Sequence, residues 1–283
     1  MRRGALRRAR LGRHRGVTLA GLVVVGALAL AAVLAPWIVP GSPTEIVRDQ
    51  ALRGPTLAQP FGMDDLGRSM LSRVVHAYRV SLGVAVASVA LALAAGVPLG
   101  LVAGYAEGVV DQLIMRPLDV LMSFPAILLA IALMSVFGTG VVLVAASLAV
   151  VYTPVVARVA RAAVLAAKVE VYVDGARALG APVERLVLRH ILPNAATPVL
   201  VQASVLMAIA ILVEASLSFL GVGVRPPTPS LGLMLADGRG FMVQAPWMVV
   251  FPGLAIMAAV LGFNMVADGL RDWLDPQQAA GRS

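Results

Sequence analysis

Charged residues punctuate this chain at long intervals, and the apolar stretches between them set its architecture. No charge stands between Arg15 and Glu45, between Arg79 and Glu107, or between Asp119 and Arg158. A charge at the centre of a membrane helix costs about 2.5–3.5 kcal/mol, and about 20 apolar residues cross a hydrocarbon core of about 30 Å. The pattern predicts an all-α polytopic membrane protein with six spans, at 18–39, 80–103, 117–136, 141–158, 196–219 and 246–268. The turn Phe137-Gly138-Thr139-Gly140 divides the third span from the fourth. Pro98, Pro125, Pro154, Pro198 and Pro252 fall within or beside spans, where neighbouring groups can satisfy the freed carbonyls; they read as kinks or as hinges. Gly83, Ala87, Ala90, Ala94, Gly96, Gly100 and Gly104 predict close helix packing without naming the partner helix.

Composition agrees with the pattern. Hydrophobic residues make up 59% of the 283 and charged residues 13%, with a mean hydropathy of +0.89. Seven of the 23 basic residues are arginines within the first fifteen positions, while aromatics are 5%. Clustered arginines beside an apolar run mark a cytoplasmic membrane flank and exclude a nucleic-acid groove. The first apolar run is too long for a signal-peptide core of about 7–15 residues and reads as an uncleaved span, although Ala29-Leu30-Ala31 resembles a cleavage site. Cysteine is absent, which removes disulfides and thiolate metal sites. The basic residues of 1–17 and 159–195 place both segments in the cytoplasm, together with the tail 270–283. Outside then lie 40–79, expected to carry an amphipathic helix, and the loop 220–245.

One polar island interrupts the second half: "DGARALGAPVERLVLRHILPN", residues 174–194. Asp174 suits an N-cap and Gly180 a left-handed helix end. Pro182 and Glu184 suit the first turn of a second helix. Val183, Leu186, Val187 and His190 share one face of that helix, and "LPN" is expected to stop it before the fifth span. A folded, asymmetric elbow between two spans reads as a docking surface or as a helix lying on lipid headgroups.

The island resembles the cytoplasmic "EAA" signature of ABC importer permeases. Asp174, Gly175 and Ala176 stand at the "EAA" positions, Gly180 at the glycine, His190 at the usual isoleucine, and Leu192-Pro193 at the closing "LP". Three further stretches, "FGMDDLGRSMLSRVVHAYRVSL" (61–82), "VEASLSFLGVGVRPPTPSLGLML" (213–235) and "GFNMVADGLRDWLDP" (262–276), are similar to the second permease subunit of dipeptide, oligopeptide and nickel importers. Met63 and Ser69 depart from that pattern. The resemblance implies a subunit forming half of a translocation pathway for peptides, or for nickel or another small chelate. It implies a homologous second permease, two ATP-binding cassette subunits that carry ATP and Mg, and an extracytoplasmic solute-binding protein. The implied location is the bacterial cytoplasmic (inner) membrane, and Asp174, Gly175, Ala176, Gly180, His190, Leu192 and Pro193 become the implied ATPase-coupling residues.

This chain holds no phosphate-binding loop: its one lysine, Lys168, lacks the preceding glycines. Glu214 is the carboxylate well inside a span; it either lines the path or partners a backbone group or arginine. Gln202 and Asn264 either bond between helices or face substrate. Asp64 and Asp65 read as a helix N-cap rather than ion ligands. His14, His76 and His190 fit no metal spacing. Residues 224–232, "VRPPTPSLG", form either a plain rigid loop or a contact for the binding protein. An intramembrane enzyme would need clustered ionisable groups within its spans, and a stand-alone carrier would favour inverted repeats; the sequence offers neither.

Overall fold

The computed structural model describes residues 2–39 and 42–274, with side chains over 16–39 and 42–273. Regular structure among them is helical apart from one isolated β-bridge, Met63–Ser69. Helix α1 covers Arg2–Ile38, α2 Met70–Ala106, α3 Gly108–Met122, α4 Ala126–Phe137 and α5 Val141–Lys168. Two short helices follow, α6 (Val171–Ala178) and α7 (Val183–Arg185). A π-helical stretch, Leu186–Ile191, then leads into α8 (Leu192–Phe219). Helices α9 (Leu231–Gly238) and α10 (Trp247–Leu274) complete the fold.

Five helical segments are long and apolar enough to cross a membrane: Gly16–Ile38, Met70–Ala106, Val141–Lys168, Val183–Phe219 and Trp247–Trp273. Helices α3 and α4 together make a sixth candidate, but they meet at a bend of 92°. Where the charge pattern predicts one helix over 117–136, the chain breaks at Ser123-Phe124-Pro125. The ring of Pro125 disfavours helical backbone in the residue before it, and Pro125 itself sits extended at φ −56°, ψ 130° as the N-cap of α4. The 28-residue helices α5 and α8 are about 42 Å long at about 1.5 Å per residue. They overrun a hydrocarbon core of about 30 Å, and α5 carries Arg158, Arg161 and Lys168 in its second half. Residues 42–69 contain a single 3₁₀ turn, Arg48–Gln50, in place of the expected amphipathic helix. Helix begins at Met70 and runs unbroken into the span, with Ser69 as its N-cap accepting from Ser72 N–H.

The bundle closes around α2, α5, α8 and α10. Helix α2 lies along α5 through three glycines at four-residue spacing. A Cβ on Gly96 would stand 2.8 Å from Thr153 O, on Gly100 2.4 Å from Ala157 O, and on Gly104 2.9 Å from Arg161 O. Their absence lets the two backbones touch, so α5 is the partner that the small-residue pattern left unnamed. Helices α1 and α10 repeat the device at Gly21 and Gly262.

Candidate functional site

The polar island folds as a two-part elbow at one end of the bundle. Its first part, α6, starts at Val171, because Glu170 is extended and takes the N-cap position. Asp174 therefore does not cap: it lies inside the first turn, exposed, accepting a hydrogen bond from Arg177 NH1 at 2.7 Å. Gly180 adopts φ +76°. Its N–H bonds to Arg177 O (3.0 Å), while Ala181 N–H reaches back to Ala176 O (3.1 Å). This is the Schellman arrangement that ends a helix with a left-handed residue. Pro182 then takes the N-cap position of α7, with Glu184 in the first turn.

The "LPN" segment does not stop the second helix. Leu192 N–H bonds five residues back to Val187 O, and helix continues to Phe219. A proline cannot donate an amide, and its ring crowds the carbonyl four residues earlier; the widened turn over Leu186–Ile191 makes room for Pro193. The Asn194 side chain donates to His190 O (2.8 Å) and to Tyr172 Oη (2.7 Å), tying α6 to the second arm. Beneath the elbow, Val173, Leu186 and Ile191 are buried with Val164 and Ala167 of α5 and Ala195 of α8, backed by Leu101 and Tyr105 of α2. On its outer side Val171, Leu179, Val183 and Leu188 are exposed, Leu179 to 90%. Asp174, Gly175, Gly180 and Pro193 are exposed, while Ala176, His190 and Leu192 are half-buried. The elbow thus has an anchored apolar underside and an apolar outer face that none of the described residues covers.

The other candidates lie elsewhere. Glu214 is wholly buried within the bundle, far along α8 from the elbow. Its Oε2 accepts from Ser81 Oγ (2.7 Å), and its Oε1 accepts from Ser218 Oγ and Ser230 Oγ (both 2.9 Å). Ser218 Oγ also accepts from Val224 N–H (3.2 Å). This hydroxyl knot joins α2, α8 and the loop before α9, and its partners are serines rather than an arginine. Gln202 is half-buried on α8 and Asn264 exposed on α10. The structure brings neither of them to Glu214 nor to the elbow.

At the same far end, Asp64 organises a second knot that the sequence did not disclose. Its Oδ1 accepts from Leu66 and Arg68 N–H, and its Oδ2 from Arg68 Nε and Arg73 NH1, both at 2.5 Å. It closes a turn rather than capping a helix. Arg73 NH2 reaches Asp237 of α9 at 3.4 Å. Burial pushes the Asp237 carboxyl above the usual carboxylate range, against the pull of Arg73 and Arg68. Trp247 Nε1 donates to Met63 O (2.9 Å), and Phe61 stacks on Phe251 with ring centroids 4.1 Å apart. In the loop after α8, the Pro226–Pro227 bond is cis and Arg225 Nε donates to Thr139 Oγ1. Serines and arginines are scattered along the sequence without a spacing that marks these contacts. Among the described residues no cluster of His, Asp or Glu could hold a metal; the side chain of His14 lies outside them.

Long apolar helices, a helix pair bent by 92° and a helical elbow rooted in two spans define a polytopic helical membrane domain. The fold is shared with the crystal structure of an amino acid ABC transporter with histidines, at TM-score 0.56 and 14% identity, over 70% of this chain and 92% of that one. Residues 96–279 match the binding-protein-dependent transport system inner membrane component family, and residues 5–60 match the N-terminal TM domain of oligopeptide transport permease C. The chain belongs to this family of binding-protein-dependent permeases. It is 41% identical to the dipeptide transport system permease protein DppC of Alkalihalophilus pseudofirmus, over 92% of this chain and 86% of the relative. It is likewise 41% identical to that of Haemophilus influenzae, over 92% and 90%. With the glutathione transport system permease protein GsiD of Escherichia coli it shares 43% identity over 93% and 87%. The protein is a transport permease subunit, an inner-membrane component rather than an enzyme.

Proposed function

We propose that this permease forms half of an import pathway for short peptides and takes its power from a separate ATPase through the elbow. The peptide substrate is supported by the relatives, named for dipeptide and glutathione transport. Coupling is supported by one observation above all: a rigid elbow whose underside is anchored on α5 and α8 while its outer face carries exposed apolar residues. A floppy connection would absorb a push; this one passes it to two membrane helices. Allosteric coupling needs contacts that differ between two states, and a groove closing on Leu179 and its neighbours supplies them. Asp174, Gly175, Ala176, Gly180, His190, Leu192 and Pro193 hold the elbow's shape for that contact. The proposed partners are a homologous permease, two ATP-binding cassette subunits carrying ATP and Mg, and an extracytoplasmic binding protein. The elbow and both termini then lie in the cytoplasm. Asn264 and Gln202 are the polar groups offered to the path or to the second permease, while Glu214 belongs to the scaffold.

The test is ATPase activity of the complex reconstituted in lipid with its binding protein. Added dipeptides are expected to stimulate hydrolysis and to enter the vesicles. Gly180→Pro, which forbids φ +76° because proline holds φ near −65°, is expected to leave hydrolysis but abolish its link to uptake. Stimulated uptake unchanged in Gly180→Pro would refute the coupling role.

A further inference from the structure

Helix α3 is loosely held for so long a helix. None of its residues is buried, and Val109, Leu113 and Val120 are exposed to 72%, 71% and 61%. Besides the turn at Glu107–Gly108 that joins it to α2 and the partial burial of Ile114, Met115 and Leu118, charge fastens it to the bundle. Three acids on or beside α3 meet three bases on α5. Glu107 Oε1 lies 2.7 Å from Lys168 Nζ, and Asp119 Oδ1 lies 2.6 Å from Arg158 NH2. Between them Asp111 takes Arg161 at two points, Nε to Oδ1 and NH2 to Oδ2, each 2.5 Å. Acids and bases run antiparallel, all of one sign on each side. At about 100° per residue, positions 158, 161 and 168 fall on one side of α5. In the outer two pairs Glu107, Asp119 and Arg158 are well exposed, and pairs of that kind contribute little individually. The Asp111–Arg161 pair is more enclosed and two-pronged, which fixes direction as well as distance.

Where the two ends of this ladder lead gives it meaning. Helix α5 ends at Lys168, and the elbow begins at Val171 on a core that includes Val164 and Ala167. At the other end of α3 lies the 92° break at Ser123-Phe124-Pro125, with all three residues exposed. Apolar packing alone is non-directional and would let α3 slide along α5; a two-point ion pair forbids the slide. We propose that the ladder locks α3 to α5, so that motion of the elbow is delivered to the break between α3 and α4, with Asp111 and Arg161 as its positioning residues. The proposal rests on the coupling reading of the elbow. It adds a second moving part, the half-span that follows α5.

The absence of cysteine permits spin labels at Leu113→Cys on α3 and Glu184→Cys on the elbow, both exposed sites outside the apolar contact around Leu179. In the full complex in lipid nanodiscs, the expected result is one narrow distance, equal without nucleotide and with ATP. Asp111→Asn or Arg161→Gln is expected to broaden it and make it differ between the two states. The exchange Asp111→Arg with Arg161→Asp should restore the narrow distance. In proteoliposomes, uptake of radiolabelled dialanine per ATP hydrolysed should fall about fivefold or more in the single variants and recover in the exchange. A distance unmoved by the single variants, or an exchange that assembles without restoring it, overturns the proposal. Failure of the unaltered complex to take up dialanine would count against the peptide reading alone, since the distance measurement needs no substrate.

Discussion

Glu214 illustrates at the residue scale why a carboxylate inside a membrane helix need not touch the cargo. Both its oxygens end on serine hydroxyls, and no part of it is exposed. Burying such a group is tolerable only when it is hydrogen-bonded, and here the bonds also staple α2 to α8 and to the loop before α9. Glu214→Ala would leave three buried hydroxyls without an acceptor, each costing about 1–3 kcal/mol. It should lower the thermal midpoint of the detergent-purified complex sharply. Glu214→Gln should be far milder, because a serine hydroxyl can turn to accept from the amide. A Glu214→Ala protein that melts normally but transports poorly would instead put the carboxylate on the path.

Among the elements, the contact that organises the bundle is α2 on α5, and it depends on missing side chains. Gly100→Leu places carbon 2.4 Å from Ala157 O, and backbone cannot yield as a side-chain tip can. The expected outcome is loss of monodisperse complex in size-exclusion chromatography. Gly83→Ala on the same helix, where nothing lies within 4 Å of the added carbon, should behave as the unaltered protein. The small-residue spacing made this packing legible in the sequence, and charge spacing made the long helices legible. The break at Ser123–Pro125 was not, because hydropathy measures apolarity and not direction: the residues around Pro125 are as apolar as a straight span. The Schellman end at Gly180 was readable from glycine alone. By contrast, the helix running through Pro193 was hidden, since a proline signals a stop unless a π-turn accommodates it, and no residue pattern announces that turn. The two far-end knots were invisible for a third reason. Their partners, such as Ser81 with Glu214 and Arg73 with Asp237, stand 133 and 164 positions apart.

At the scale of the molecule the two ends do different work. Around Asp64, Glu214 and Trp247, polar knots and a stacked aromatic pair tie the loops to the helix ends and make that end stiff. The opposite end presents the elbow, rooted in α5 and α8 and carrying unpartnered apolar residues outward. Between them α3 and α4 form a bent helix pair, α3 tied to α5 by ion pairs and α4 seated in the core by Ala130 and Met134. A subunit built this way can accept a push at one end without unfolding at the other, as a permease driven by a separate motor requires. The most direct measurement is cross-linking from Leu179→Cys, the most exposed large apolar residue of the elbow, in an otherwise cysteine-free chain. In the intact transport complex that cysteine is expected to form an adduct with the ATP-hydrolysing subunit and to escape labelling by membrane-impermeant reagents added outside cells. Labelling from outside, with no adduct to the ATPase, would contradict it.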